Sequence, residues 1–417
     1  MGPVQLRGGW LRPVGHLRHE RAHQLRHHVT DQLPVTRHYL DHASTSPLRP
    51  EAAAAMVECL QASPGDPSRI HAEGMAARAA LETARDQVAE LLGARSREVV
   101  FTSGATEAIA AAVWGAARRH ATRDAATPTR QVVSAVEHSA VRLGAARLGP
   151  VTVVPVDSGG RVAVDEVVTA IDQPDAQVAA VHVQWANHEV GTVQPVAEIV
   201  AACRERDVLV HVDAAQAGGR IPIDFDALGA DLLSVSGHKL GGPAGTGMLL
   251  VRRGLRLEPL LLGGDQERAR RAGLENVPAL VGLGAAAATL ATDDRLATEA
   301  ARAERLTTRL RQVLAGLDGI TPYGDPVHRA PHLVCVGTEG VEPQAVLLGL
   351  DQAGIAAHSG SACASESLEP SPVLEAMGVD AHHSLRLSVG WNTTDADIDA
   401  LAASLPAVLD RLRSLAR

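Results

Sequence analysis

Near-continuous runs of valine and leucine, separated by helical or turn segments, are the feature that most restricts the fold of this chain. Such runs suit strands that are buried on both faces of a mainly parallel sheet, because a solvated face would need alternating polar residues. The alternation therefore predicts an α/β architecture. The candidate strands are residues 99–102, 132–136, 151–156, 178–185, 208–212, 232–235 and 248–251.

Helical periodicity predicts three long helices. The first ends at Gly93, the second spans about residues 302–317, and the third begins after Thr394. Each has one apolar face that we expect to point inward. These faces are Leu81, Ala84, Val88, Leu91 and Leu92 in the first; Leu306, Leu310, Val313 and Leu314 in the second; and Ile398, Leu401, Leu405 and Leu409 in the third.

The first 37 residues differ from the rest of the chain. They are rich in arginine and histidine, with Glu20 and Asp31 as their only acids. Metal binding, targeting or a start codon assigned too early would each account for this composition; we interpret residues 1–37 as a disordered basic tail. A large domain is predicted at residues 38–295 and a smaller α/β domain at residues 296–417, with the boundary in an acidic stretch near residue 295.

Composition excludes several classes of function. A net charge of −9 and a pI near 6.1 argue against partners such as nucleic acid or an anionic membrane, and 2% aromatic residues leave little for base stacking. No apolar run reaches membrane-spanning length. The cysteines form no CxxC pair, which argues against a zinc site or a disulfide framework and fits a reducing cytoplasm. They are Cys59, Cys203, Cys335 and Cys363.

Lys239 is the only lysine among 39 basic residues, so the other 38 are arginines. A chain that uses arginine for bare positive charge keeps lysine where a primary amine must lose its proton and attack a carbonyl. The alternative is that Lys239 is a surface residue that has been retained by chance. The position of Lys239, after an apolar run and Ser236-Gly-His, favours a catalytic role for its amine.

Four predicted strands end in residues that suit one cofactor. After residue 102 comes Ser103-Gly-Ala-Thr-Glu107, which is either an anion site or an ordinary helix N-terminus. His138 follows the second strand and could stack on a ring, although a lone histidine is more often structural. Asp213 follows the mostly apolar run 208–212 and needs a cationic or N–H partner. Together with Lys239 they form the set that pyridoxal phosphate requires.

These segments, as an ordered set, resemble the cysteine desulfurases of the class V aminotransferase family over about residues 38–415. The resemblance implies pyridoxal-phosphate fold type I, with a mainly parallel seven-stranded sheet domain and a smaller α/β C-terminal domain. The matching segments are residues 39–47, 101–107, 137–138, 187–191, 211–216, 236–239, 263–268, 359–363 and 384–390.

The resemblance also implies roles for individual side chains. Lys239 would attach the cofactor, Asp213 would pair with its ring nitrogen, and Gln216 would bond its phenolic oxygen. His138 would stack on the ring and shuttle protons. The remaining cofactor contacts would come from Ala105, Thr106, His188, Ser236 and His238.

The substrate side is expected to involve three residues. Arg386 would clamp the substrate carboxylate through its planar fork, and Asp66 would lie near it. Cys363, in a small polar loop, would be the nucleophile that takes the sulfur, whereas Cys59 and Cys335 are interpreted as core fillers. Three positions depart from the family pattern: His188 and Asp66 replace asparagines, and Leu274 replaces a threonine that reaches the phosphate of a partner subunit.

The expected activity is conversion of L-cysteine to L-alanine by a cytoplasmic homodimer. Sulfur would pass as a persulfide on Cys363 to an acceptor protein, such as an iron–sulfur scaffold, a tRNA-thiolation protein or a sulfur carrier. Two alternatives stay open. One is a selenocysteine lyase or another class V C–S lyase, which needs no protein persulfide. The other is a catalytically weakened homologue that binds a partner.

Overall fold

A computed structural model describes residues 36–62, 65–121, 129–360 and 370–415 of the chain. The strands, numbered along the chain, are β1 (His38–Tyr39), β2 (Val99–Thr102), β3 (Thr129–Ser134), β4 (Val151–Val154), β5 (Gln177–Gln184), β6 (Val210–Asp213), β7 (Leu232–Ser236), β8 (Gly247–Val251), β9 (Ile320–Tyr323), β10 (Leu333–Thr338), β11 (Ile355–Ala356) and β12 (Ser384–Ser388).

The helices of the described ranges are numbered in the same way. They are α1 (Pro50–Gln61), α2 (Ala72–Leu91), α3 (Ala105–Ala121), α4 (Ser139–Leu148), α5 (Val164–Ile171), α6 (Val196–Glu205), α7 (Phe225–Leu228), α8 (Gln266–Ala269), α9 (Val277–Ala291), α10 (Arg295–Ala315), α11 (Pro343–Gln352), α12 (Pro372–Ala376) and α13 (Asp395–Leu415).

Seven strands form one sheet in the order β2-β8-β7-β6-β5-β3-β4, and only β8 runs against its neighbours. Each of the seven predicted runs overlaps one of these strands, so the α/β class and the mainly parallel sheet are confirmed. The predicted strand ends differ from the observed ones by up to three residues. For example, β3 starts at Thr129 because it pairs there with Gln177 of β5, before the valine run begins.

Both faces of this sheet are covered, which explains the continuous apolar runs. In β2, Val99 and Phe101 join the core on one face and Val100 joins that on the other. Helix α3 packs over the second face. On the first face, the predicted inward residues of α2 are all buried. Gly93 follows that helix with a φ of 57°, a left-handed conformation that glycine adopts without steric cost.

A second core surrounds the antiparallel sheet β12-β10-β9, and α10, α11 and α13 contribute to it. Leu40 belongs to this core because β1 pairs in parallel with β11. Helix α10 begins at Arg295, seven residues before the predicted start, because its first two turns carry few apolar residues to reveal the period. The predicted domain boundary near residue 295 stays a prediction, and residues 1–35 of the predicted tail lie outside the described ranges.

Candidate active site

The carboxyl ends of β2 and β7 lie at one edge of the large sheet, on either side of β8. Gly247, the first residue of β8, is the register partner of both Thr102 and Ser236. A Cβ at Gly247 would lie 2.5 Å from the backbone of Gly104, so only glycine lets the turn after β2 approach so closely. The segments 103–107 and 236–239, far apart in sequence, are thereby neighbours.

This edge offers a concentration of hydrogen-bond donors. The N-terminus of α3 presents the backbone N–H groups of Ala105 and Thr106, and Thr106 itself is exposed. Ser236 is 1% exposed and its hydroxyl has no hydrogen-bond partner among the described residues. His238 contacts Thr45 at 3.0 Å between Nδ1 and Oγ1. Burial, together with the charge of Lys239, lowers the pKa of His238 to about 4.

Lys239 and Asp213 form the charged centre of the site. Burial lowers the pKa of Lys239 to about 8; Asp213 opposes the shift, whereas Arg386 and Arg220 add to it. Burial raises the pKa of Asp213, opposed by the N–H of Ala215, which donates to Oδ1 at 2.9 Å, and by Lys239. Each group therefore offsets the burial of the other. A lysine with this pKa supplies a neutral amine far more readily than a solvated one.

Gln216 is held by protein groups on both ends of its amide. Its Nε2 donates to the carbonyl of Ala43 at 2.8 Å, and its Oε1 lies 3.2 Å from Nε2 of His332. His332 is fully buried, and burial keeps its pKa well below the usual value, so the neutral ring donates from Nε2 to the amide oxygen. The orientation of Gln216 is therefore set by a histidine that sequence reasoning did not identify.

His138 begins helix α4, where its Nδ1 accepts a hydrogen bond from the N–H of Ala140 at 3.1 Å. The neutral ring therefore carries its proton on Nε2. Burial, together with the charges of His188, Lys239 and Arg142, lowers the pKa of His138 to about 3. The rings of His138 and His188 meet edge to face with 5.1 Å between their centroids, so the two predicted histidines lie together.

Arg386 enters the site from the second sheet. It is 2% exposed; one terminal nitrogen donates to the carbonyl of His188 at 2.8 Å, and the other to Asp41 at 3.0 Å and Ser44 at 2.7 Å. Its Nε is buried without a partner among the described residues. The guanidinium is thus fixed beside the site, and its ion pair is with Asp41.

Comparison with known proteins identifies the family. The sequence profile described as aminotransferase class V matches residues 38–401. A cysteine desulfurase of Cereibacter sphaeroides is 41% identical over 393 residues, covering 91% of this chain and 98% of that protein. A solved structure of a NifS-like protein superposes with a TM-score of 0.81 at 30% identity, covering 90% of this chain and all of the other.

The chain belongs to the aminotransferase class V family. A further solved structure, SspA in complex with cysteine, has a TM-score of 0.73 at 29% identity and covers 85% of this chain and 99% of that one. The family uses pyridoxal phosphate, and the fold expected for it, type I, is confirmed. The site of this class V chain fits that cofactor, because β7 ends in Ser236, whose buried hydroxyl has no partner among the described residues, and pairs with β6, which ends in the buried Asp213 that interacts with Lys239.

Not every predicted site residue of this class V chain joins the cluster. Asp66 precedes α2, where its carboxylate accepts from Ser68 and contacts Arg69, so its predicted role near the substrate stays a prediction. Leu274 is 64% exposed on the loop before α9. Cys363 lies outside the described residues. Cys335 is buried in β10 and Cys59 is half-buried in α1, so only the first is a full core residue.

The structure adds Asp41, Ser44 and His332 to the predicted set. Residues 39–47 carried part of the family resemblance, but the role of Asp41 depends on Arg386, which is 345 residues away along the chain. The predicted absence of a metal site is not tested by a structure without ions; within the described ranges no group of three or more metal-ligating side chains occurs. In the same ranges, no helix is long and apolar enough to cross a membrane.

Proposed function

We propose that this chain is a pyridoxal-phosphate-dependent cysteine desulfurase, which converts L-cysteine to L-alanine and passes the sulfur to an acceptor protein. One observation carries the proposal: the only lysine of the chain lies beside a buried aspartate at the edge of the large sheet, with its pKa lowered to about 8. The named relatives support the choice of reaction, since they include a cysteine desulfurase and a structure with bound cysteine.

The proposed cofactor contacts are those that the family resemblance implies. Lys239 would hold the aldehyde carbon, Asp213 would pair with the ring nitrogen, and Gln216 would bond the phenolic oxygen. His138 would stack on the ring, and the ring of His188 contacts that of His138 edge to face. The phosphate would be held by the backbone of Ala105 and by Thr106, Ser236 and His238. When bound, pyridoxal phosphate supplies an electron sink for the bonds at the substrate Cα.

The side chains then divide the work of binding and proton transfer. Arg386 binds the substrate carboxylate in place of Asp41, which orients the amino acid. Lys239 would serve as a base, whose Nζ would take a proton from the substrate and return it. His138 donates from Nε2; it can accept a proton only at Nδ1, by giving up its bond to Ala140. Its helix-capping bond thus opposes protonation.

Cys363 is proposed to receive the sulfur. Its thiolate attacks the sulfur of the substrate, so an S–S bond forms while the Cβ–S bond breaks and leaves its electron pair on Cβ. A proton delivered to Cβ completes L-alanine, and the enzyme keeps a persulfide on Cys363. A thiol on the acceptor protein then takes the outer sulfur. The need for a reduced thiol supports a cytoplasmic location.

We also propose that two copies associate. Large apolar side chains are exposed on α1, around the start of α2 and on the loops before α8 and α9, including Leu60, Ile70, Met75, Leu262 and Leu274. Helix α9 packs against both α1 and α2, and exposed apolar side chains on and beside these helices suit contact with a second copy. Light scattering of the purified protein measures the mass directly.

The Cys363→Ala variant tests the proposed function. The variant should bind pyridoxal phosphate and L-cysteine with the spectrum of the wild type, because Cys363 acts after these steps. It should lose persulfide formation and nearly all alanine production. The matched control is Cys59→Ala, which removes another thiol and should keep full activity.

Mass spectrometry after incubation with L-cysteine locates the sulfur. The proposal expects an added sulfur atom on the peptide that contains Cys363. Full activity in Cys363→Ala, with sulfide released, would contradict the desulfurase proposal and indicate a C–S lyase that needs no protein persulfide. A protein that stays colourless with added pyridoxal phosphate would contradict the enzyme proposal altogether.

A further inference from the structure

Glu137 is a buried acid for which the proposed reaction has no use. It lies between β3 and α4, directly before His138, and is 1% exposed. Its Oε1 accepts two hydrogen bonds, from the hydroxyl of Ser134 at 2.8 Å and from the N–H of Gln184 at 2.8 Å. Its Oε2 is buried and has no hydrogen-bond partner among the described residues. An unpaired anionic oxygen in such a place would be costly.

The position of Glu137 relates it to Asp213. Gln184, whose N–H anchors the Glu137 carboxyl, is the register partner of Asp213 on the neighbouring strand. The side chain of Gln184 also donates to the carbonyl of Val136, which fixes the turn that carries Glu137. Two carboxyl groups are therefore held at the ends of β3 and β6, on either side of β5, inside the same water-poor edge.

The surroundings of the two acids differ. Lys239 and His188 both favour the charged form of Asp213, together with the N–H of Ala215. Glu137 has neutral donors, and Arg142 is the cation that favours its charged form, while Asp213 opposes it. Burial is the largest influence and raises the pKa of Glu137 to about 8. When two acids share such a site, the acid with the weaker cationic surroundings keeps the proton.

We propose that Glu137 is held as a neutral carboxylic acid, protonated on Oε2, and acts as a positioning residue that leaves Asp213 as the charged acid of the pair. Its protonation does not depend on the activity proposed above, but its role toward the cofactor does. A proton on Asp213 instead would remove the negative charge that a protonated ring nitrogen needs. A charge on both acids would place two buried anions at strand ends separated by one strand, β5.

Infrared spectroscopy of the full-length protein tests the protonation state. At pH 7 the wild type minus Glu137→Gln difference spectrum should contain the carbonyl stretch of a protonated carboxylic acid, with or without pyridoxal phosphate. The band should disappear as the pH rises past about 8. Glu98→Gln is the matched control, because both oxygens of that buried carboxylate accept backbone N–H groups, and its difference spectrum should lack the band.

Thermal unfolding gives a second measurement. The folded-state pKa of Glu137 is raised above its unfolded value, so the wild type should lose stability relative to Glu137→Gln as the pH rises from 4.5 toward 8. The difference in Tm should grow in favour of the variant over that range. A constant difference together with no acid carbonyl at pH 7 overturns the proposal.

The role toward the cofactor has its own measurement. In the wild type, ionisation of Glu137 should shift the visible absorbance of the bound cofactor between pH 7 and 9, and Glu137→Gln should lack this step. A variant that retains the step removes Glu137 from the proposed role, whereas loss of all visible absorbance in the wild type would contradict the cofactor proposal instead. If Glu137→Gln fails to fold, carboxyl NMR of wild-type protein labelled at glutamate should show one resonance titrating near pH 8; its absence overturns the proposal.

Discussion

The two sheets supply the site in different ways. In the seven-stranded sheet, Asp213 and Ser236 are the last residues of β6 and β7, and Glu137 and Lys239 follow the ends of their strands by three residues. In the three-stranded sheet, Arg386 is the middle residue of β12, paired with Cys335 of β10. The first sheet therefore presents its groups at an open edge, and the second presents one group from within a strand.

This difference decides how firmly each group is held. Two residues at the open edge are bonded to their own turns, Asp213 to Ala215 and His138 to Ala140. Arg386 is bonded to Asp41, Ser44 and the carbonyl of His188, which come from two distant segments. The edge can accommodate a cofactor by local adjustment, whereas Arg386 must exchange an existing ion pair to bind a substrate.

The largest expected effect concerns the open edge. Lys239→Ala should abolish alanine formation, because no other lysine in the chain can attach the cofactor or provide the base. Its visible absorbance with pyridoxal phosphate should be lost or shifted. Borohydride reduction of the wild type, followed by peptide mapping, should place the pyridoxyl group on the peptide that contains Lys239. Measurable alanine formation by Lys239→Ala would show that the reaction does not require this amine.

The difference between the two sheets also explains which site residues could be predicted from the sequence. Asp213 and Lys239 could be found because each follows an apolar run, so the strand pattern alone places them at one edge. The strand β2 was predicted with its observed bounds. Arg386 was found only by family resemblance, since nothing in residues 384–388 marks the middle of a strand as a binding position. Asp41, Ser44 and His332 had no sequence signal because their roles are set by contacts across the fold.

A second, smaller effect concerns the second sheet. Arg386→Ala removes a charge-assisted hydrogen bond to the substrate carboxylate, about 1.5–3 kcal/mol, so kcat/KM for L-cysteine should fall roughly 10- to 150-fold. Arg386→Lys keeps the charge without the planar fork and should lose less. Cofactor absorbance should be unchanged in the lysine variant. An unaltered KM in both variants would mean that Arg386 remains with Asp41 and does not bind the substrate.

The smallest effect concerns the loop before α9, outside both sheets. Leu274→Thr should tighten pyridoxal phosphate by up to about tenfold, since a hydroxyl that regains one hydrogen bond contributes ~1.4 kcal/mol. The reason is the resemblance of this position to a threonine that reaches the phosphate in a partner subunit, together with the 64% exposure of Leu274 in the single chain. Equilibrium titration of the visible absorbance measures the Kd.

The control for this change is Leu274→Val, which copies the branched shape of threonine without its hydroxyl. Tighter binding in the threonine variant alone assigns the gain to a hydrogen bond. Equal tightening in both variants assigns it to removal of an exposed leucine. The gain should also depend on protein concentration, because the bond crosses between two copies and disappears when they separate. Tighter cofactor binding that persists in the monomer would place residue 274 beside the phosphate of its own chain. The loop would then be part of the same site as the open edge.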